Sequence, residues 1–282
     1  MPLRLISRLP LPLLYAICAA AAWLLRMARW RAGFVAEGLA RCLPEQDDAA
    51  RRRLAREFYS FLGRLVAEIL HGARIAPEAL ESRVRFEGDA ALRETLAGGR
   101  RVMLLAAHHC NWEWLLLECS RRLGTPLVAA YKPVSTGFAD RWTRDMRSRF
   151  GATMVPAQDI VQHLIAQRGQ VKLLAMVADQ SPSAKSDKQT WLPFFGQDTS
   201  FFQGPGWIGA KLGFEPVFIA MRPDGPGRYV VRFVPLTSGG ERPGPDQILR
   251  AYVGALEQQV REYPVQYFWA YNRWKRAKRL YD

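Results

Sequence analysis

The sequence predicts an α/β fold: a sheet covered by helices on both faces, with a hydrophobic helix ahead of it. Three observations carry that prediction. Apolar runs of strand length alternate with helix-period segments through most of the chain. One long uncharged run stands apart near the N-terminus. The composition, 49% hydrophobic and 23% charged over 282 residues, supports a substantial core and excludes a disordered, collagenous or disulfide-stapled chain.

The elements follow in chain order. Residues 9–25, LPLPLLYAICAAAAWLL, form 17 positions without a charge. As a helix rising about 1.5 Å per residue they cover roughly 26 Å, a little less than a bilayer core of about 30 Å. Pro10 and Pro12 fall in the first turns, where a missing N–H costs little. Trp23, Leu24 and Leu25 lead into Arg26, Arg29, Trp30 and Arg31, an aromatic and basic interface belt rather than a cleavage site. More arginine follows the run (26, 29, 31, 41) than precedes it (4, 8), which directs the rest of the chain to the cytoplasmic side. Residues 1–34 are expected to be an uncleaved membrane anchor, spanning or partly embedded, and residues 35–282 one globular domain. The alternative is a buried hairpin helix of that domain.

From about Glu37 to Leu80 the pattern is amphipathic helix, with Phe58, Phe61, Leu62, Leu65, Val66 and Ile69 at helical spacing. Buried strands are expected over 102–107 and 171–178, and further strands over 127–130, 153–155, 217–221 and 229–234. Helices are expected over 112–123, 138–150, 160–167, 206–212 and 247–262, and a long polar and aromatic segment over 179–203. No internal repeat or low-complexity linker divides this order.

Lys and Arg total 40 against 26 Asp and Glu, a net +14 that calls for an anionic partner. Residues 1–34 hold five arginines and no acid, and residues 266–282 hold five basic side chains against Asp282 alone. Basic ends beside apolar and aromatic residues fit a lipid headgroup surface better than a nucleic-acid groove. The four cysteines (Cys18, Cys42, Cys110, Cys119) lack C-x-x-C spacing and read as reduced thiols.

The sharpest local feature is Ala106-Ala107-His108-His109-Cys110-Asn111-Trp112-Glu113, a strand end opening a helix, where α/β folds place reacting groups. A carboxylate at Glu113 can hold the His108 tautomer and stabilise the imidazolium after proton transfer. No activated Ser or Cys is needed if the nucleophile is a substrate hydroxyl. His109 and Glu113 stand at i, i+4, but no third ligand has suitable spacing for zinc. Cys110 beside a histidine is a rival nucleophile without further local signature. No G-x-S-x-G elbow occurs. Gly204-Pro205-Gly206-Trp207-Ile208-Gly209 satisfies G-x-G-x-x-G, but with no clean strand before it and no acid about 20 residues on, it reads as a Gly-rich helix start.

The segment HHCNWE resembles the H-x4-(D/E) motif of the bacterial lipid A biosynthesis (late) acyltransferases of the lauroyl and myristoyl type. Further blocks agree in order: Tyr131-Lys132-Pro133, Arg147-Ser148-Arg149-Phe150-Gly151, Ala178-Asp179-Gln180, Pro193-Phe194-Phe195-Gly196, and Pro264-Val265-Gln266-Tyr267-Phe268-Trp269 with Asn272-Arg273-Trp274-Lys275. The last block carries Tyr271 where many members carry His, which leaves the acceptor headgroup open.

The resemblance implies a glycerolipid acyltransferase-like form, a mixed sheet flanked by helices. It implies transfer of a fatty acyl chain from a thioester to a hydroxyl of a lipid A precursor, with no metal and no cofactor beyond the thioester. His108 would be the base and Glu113 its partner; Arg147 would stabilise the oxyanion or hold phosphate, and Asp179 would anchor the site. Asn111, Lys132, Arg149, Gln180 and Arg273 would bind substrate. The expected setting is a monomer on the cytoplasmic face of the bacterial inner membrane, with no nucleic-acid partner. Acyl carrier protein is the donor favoured over coenzyme A, because carriers are acidic and the chain is basic. A lysophospholipid or glycolipid O-acyltransferase is the alternative enzyme, and a basic membrane-associated lipid-binding protein the non-enzymatic one.

Overall fold

The computed structural model describes residues 2–134, 136–167, 169–182, 188–237 and 243–274. Lys275, Arg276, Lys278 and Arg279 of the basic C-terminus lie outside the described residues.

The chain opens with α1 (Pro2–Ile6) and α2 (Leu11–Met27), the latter entered through Pro10 with Pro12 in its first turn. α3 (Ala32–Cys42) leaves α2 at 85° through Arg29 and Arg31, both left-handed (φ 53° and 58°). α4 (Asp48–Gly72) is capped by Asp47, whose carboxylate accepts the Ala50 N–H at 2.7 Å. Buried Leu11, Leu14, Cys18 and Ala22 recur every three or four residues, and this stripe of α2 packs on α4. Gly63 permits the approach, since a Cβ there would sit 2.8 Å from the Cys18 carbonyl oxygen. The opposite side of α2 leaves Leu13, Ile17, Trp23, Leu24 and Met27 exposed. No single helix among the described residues is long and apolar enough to cross a membrane; α2 and α3 reach that only taken together, bent.

Then come α5 (Pro77–Arg83), β1 (Val84–Glu87), α6 (Ala90–Ala97), β2 (Val102–Ala106), α7 (Trp112–Arg122), β3 (Leu127–Tyr131) and α8 (Gly137–Arg147). β4 (Thr153–Pro156), α9 (Ile160–Ala166) and β5 (Leu173–Val177) lead to a hairpin of β6 (Gln189–Phe194) and β7 (Gln197–Phe202). α10 (Gly204–Leu212), β8 (Glu215–Pro223), β9 (Tyr229–Pro235), α11 (Pro245–Glu262) and a 3-10 turn over Pro264–Gln266 complete the order.

Seven strands form one mixed sheet in the order β1-β9-β8-β2-β5-β3-β4, antiparallel only between β8 and β9. β2 lies at its centre and is buried at all five positions. Its side chains alternate between two cores. Met103 and Leu105 join residues of α3, α4, α9, α10 and α11, while Val102, Leu104 and Ala106 join those of α5 to α8. This is the mixed sheet flanked by helices that the resemblance implied.

Two stretches differ from the sequence expectation. β1 and α6 fall where no element was expected, because four strand residues beside an eight-residue helix carry too little periodicity. The hairpin β6–β7 falls inside the supposed polar segment. Its two-residue loop is Phe195-Gly196, both at positive φ (51° and 69°), the conformation of a type I′ turn. Phe in place of the usual Asn or Asp hides that turn from sequence reading.

Candidate active site

The register of the parallel pair β2–β5 assembles the centre of the site. Ala106 pairs with Val177, so His108 and Asp179 stand two residues beyond the ends of adjacent parallel strands. Side chains at that level meet across the sheet, at the C-terminal edge where open α/β sheets hold their ligands. His108 Nδ1 lies 2.7 Å from Asp179 Oδ1, and the same oxygen accepts the His108 backbone N–H at 3.0 Å. The Tyr267 hydroxyl also bonds to Asp179. Asp179 is almost fully buried, whereas the imidazole is 23% exposed. Burial alone would raise the Asp179 carboxyl; the His108 ring, the His108 amide and the Arg273 guanidinium outweigh it and hold that carboxyl below the usual carboxylate range. An ionised Asp179 fixes the proton of a neutral His108 on Nδ1 and leaves Nε2 as the acceptor. The Gln180 side-chain amide stands 3.4 Å from that Nε2.

Aromatic rings wall the imidazole. Trp112 meets it edge-on with ring centroids 4.9 Å apart, and Phe268 lies at 6.4 Å. The turn between strand and helix is pinned by the C-terminal segment: Cys110 N–H donates to the Gln266 carbonyl and Phe268 N–H to the His108 carbonyl, both at 3.0 Å. Cys110 is itself left-handed (φ 53°), and Asn111 then caps α7 by accepting the Trp114 N–H at 2.9 Å.

Glu113 does something other than the sequence reading assigned it. The imidazole partner is Asp179, while the Glu113 carboxylate is gripped by Arg147 in a two-pronged fork, Nε at 2.8 Å and Nη2 at 2.6 Å. It also accepts the Trp112 indole N–H at 3.1 Å. The route from Glu113 to His108 therefore runs through the Trp112 ring. The reason is topological: the turn points His108 along the strand ends, whereas Glu113 lies in the first turn of α7, facing α8. Burial alone would lower the Arg147 guanidinium, but Glu113 beside it outweighs that and holds it above its ordinary value.

The other expected site residues fall into three groups. Gln180 joins His108 and Asp179. Asn111 and Arg273 are interior: Asn111 is fully buried in the α7 cap, and the Arg273 guanidinium donates to the Ser200 carbonyl at 2.8 Å and stacks over Phe201 at 4.3 Å. Both were expected to bind substrate; their side chains are buried and bonded within the protein. Lys132 is exposed after β3, and Arg149 donates to the Gly72 carbonyl at 2.8 Å, at the end of α4.

The rival readings of the motif are also placed. Cys110 is fully buried, burial pushes its thiol well up, and its Sγ donates to the Met221 carbonyl, which describes an inert thiol. His109 points inward with Nε2 2.9 Å from the Tyr263 carbonyl, and burial pushes its pKa down to about 4. It is a neutral core histidine, and Glu113, its supposed co-ligand, is taken by Arg147. The Gly204–Leu212 segment follows a hairpin strand, contrary to the sequence reading, yet not a βαβ unit. Gly206 is needed for packing, since a Cβ there would collide with the Pro245 carbonyl oxygen on α11.

Sequence reading quoted Tyr267 and Trp112 within its motifs but gave them no role, and it missed Glu68. Glu68 was visible in principle, an acid on the apolar stripe of α4 between Leu65 and Ile69. No curated protein matches the chain closely enough to add to this comparison. The profile of one family does match, over residues 1–276, and it covers every residue of the constellation just described. By that match the chain belongs to the bacterial lipid A biosynthesis acyltransferase family and is an O-acyltransferase enzyme.

Proposed function

We propose that the protein moves a fatty acyl chain from acyl carrier protein to a hydroxyl of a lipid A precursor, with His108 as general base held by Asp179. The observation that carries this reading is the 2.7 Å contact from the buried Asp179 to Nδ1 of the partly exposed His108 ring, which leaves Nε2 as the acceptor. His108 Nε2 takes the proton of the acceptor hydroxyl as its oxygen attacks the thioester carbonyl carbon. The carbonyl oxygen becomes a tetrahedral oxyanion, and the Gln180 amide, 3.4 Å from His108 Nε2, is the side-chain donor beside the base. Collapse breaks the C–S bond, and the imidazolium returns its proton to the departing thiolate. Asp179 stays ionised throughout and stabilises the imidazolium. Arg147 and Glu113 act together, as the brace of Trp112 against the imidazole.

The membrane setting rests on α1 to α3. The exposed apolar side of α2, the aromatic Trp23 and Trp30, and five arginines without an acid describe a surface that enters one leaflet beside anionic headgroups. Residues 1–34 thus serve as the membrane-binding element of an inner-membrane enzyme whose site faces the cytoplasm. The basic surplus supports an acidic carrier as donor.

The test is acyl transfer by the purified full chain to a lipid A precursor in detergent, read by mass spectrometry of the lipid. Carrier-protein and coenzyme A thioesters of equal length are compared over a salt series. Transfer that fades with salt for the carrier alone is expected. Equal use of both donors without salt dependence overturns the carrier assignment, and transfer to a lysophospholipid alone overturns the acceptor.

A further inference from the structure

One buried acid has no part in that mechanism. Glu68 lies on α4 with 1% exposure, in the stripe that otherwise carries Phe58, Phe61, Leu65 and Ile69. A buried carboxylate costs more than the leucine or methionine that would fill the same space, so packing does not account for it. Its oxygens reach three separate elements. Oε1 accepts the Tyr15 hydroxyl of α2 at 3.1 Å; Oε2 accepts the Asn111 Nδ2 at 2.8 Å and the Tyr229 hydroxyl of β9 at 2.7 Å. The Glu68 backbone carbonyl takes the Trp114 indole N–H at 2.9 Å. Burial pushes the carboxyl up, and the three hydrogen bonds pull it back.

We propose that Glu68 is a positioning residue that couples the seating of α2 to the geometry of the catalytic turn, through the chain Tyr15–Glu68–Asn111. The proposal rests on His108 being the base, because the turn it sets is the one that carries His108. Asn111 must offer its oxygen to the Trp114 N–H to start α7, which leaves its Nδ2 pointing at Glu68. An acceptor at that place fixes which way the amide faces. The residues either side are Cys110, in its left-handed conformation, and Trp112, whose ring rests on the imidazole. On the far end, Tyr15 belongs to the helix whose other side is exposed and apolar. Displacement of α2, by loss of its membrane or by truncation, removes the Tyr15 bond and loosens the carboxylate that holds Asn111.

A polarity swap tests this. Glu68→Leu removes the acceptor that faces Asn111 and is expected to lower kcat about tenfold, with KM for the thioester within about twofold. Asn111→Asp sets two carboxylates together and is expected to do the same. In the double variant Glu68→Gln/Asn111→Asp the amide and the carboxylate have changed places, so a donor again faces an acceptor. The new carboxylate still caps α7, since Asp caps as well as Asn. Recovery of kcat to within about threefold of wild type is expected, the non-additivity of directly coupled sites. A double variant no better than Asn111→Asp alone overturns the proposal. Tyr15→Phe, a mild change remote from the turn, is expected to lower kcat about threefold at constant KM, on the scale of one lost hydrogen bond. Wild-type kcat in that variant overturns the link to α2.

A second readout needs no activity. Hydrogen exchange of the Trp114 amide should quicken about tenfold in Glu68→Leu and return in the double variant, since that amide bonds to Asn111. Unchanged exchange in Glu68→Leu overturns the proposal even where kcat falls. Should wild type transfer no acyl group while the exchange behaves as described, the catalytic reading fails and the Glu68 coupling stands.

Discussion

At the C-terminal ends of β2 and β5, charged and polar side chains are buried and partnered, whereas along α2 and in the turn after it large apolar side chains stand in the open. The first region holds Asp179 and Glu113 almost out of solvent, each in contact with a named cation or imidazole. The second leaves Trp23 56% and Leu24 59% exposed. Both arrangements are costly in water, for opposite reasons. The first cost is met inside the protein, by groups fixed before substrate arrives. The second is relieved only by something outside it. A preorganised polar centre and an unfinished apolar flank are what a reaction at a lipid surface asks of one chain.

The sharpest way to break the comparison is at the centre. His108→Ala is expected to lower kcat by about 10²–10⁴-fold with the melting temperature nearly unchanged, because the ring is partly exposed and the turn is held by backbone bonds. Steady-state rates beside a melting curve decide it; a near wild-type rate ends the mechanism. Asp179→Asn should lower the rate in the same direction, since the His108 ring loses the anion that orients it.

Next in size is the Glu113–Arg147 pair. Arg147→Met leaves a buried carboxylate unpaired, and urea unfolding should show a loss of about 3–5 kcal/mol. The double variant Arg147→Met/Glu113→Leu is expected to regain most of that stability without regaining activity, because Trp112 still lacks its brace. Recovery of both would make the pair a purely structural feature.

A third test contrasts the adjacent histidines. His109 folds with its pKa depressed from 6.5 to about 4, so between those values the unfolded chain binds a proton that the folded chain does not. Stability is therefore full above pH 6.5 and falls as pH drops toward 4, by an amount on the order of 3 kcal/mol. Asp179, held below the usual carboxylate range, adds a further loss as pH falls below about 3.9. Thermal unfolding across pH 3–8 measures this, and His109→Asn should flatten the upper part of the curve. A flat wild-type curve between pH 6.5 and 4 contradicts the burial argument.

The smallest effect belongs to the flank. Trp23→Ser on the exposed side of α2 is expected to weaken vesicle binding about tenfold, the scale of one large apolar side chain, and to leave the fold intact. Sedimentation with anionic vesicles checks it; unchanged binding moves the membrane contact elsewhere.

How much of this was legible in the sequence depended on whether a residue's job is local. The strand 102–107 and the helix after Asn111 show in the run of apolar residues and in the cap, and both stand as expected apart from one end residue each. His108 was legible because a histidine at a strand end, just before a helix, sits where α/β folds hold their reacting groups. Its partner was not, because pairing Ala106 with Val177 is a register between strands more than 60 residues apart, and spacing along the chain favours the nearer Glu113. Arg147 was singled out for a substrate-facing task, yet a guanidinium within reach of a buried carboxylate turns to it first. The hairpin β6–β7 escaped for a different reason, its turn being written Phe-Gly rather than Asn-Gly.

The bonds from Gln266 and to Phe268 that hold the His108 turn have a consequence for biosynthesis. β2 and β5 can pair once residue 177 has been made, but the loop that aims the imidazole waits on residues 263–268, about 90 positions later in the chain. Domains fold as units during synthesis, and β8 and β9 also come late, so the sheet and the turn that carries His108 are completed together, once that segment has been made. A chain cut short before residue 263 lacks the clasp that sets the imidazole.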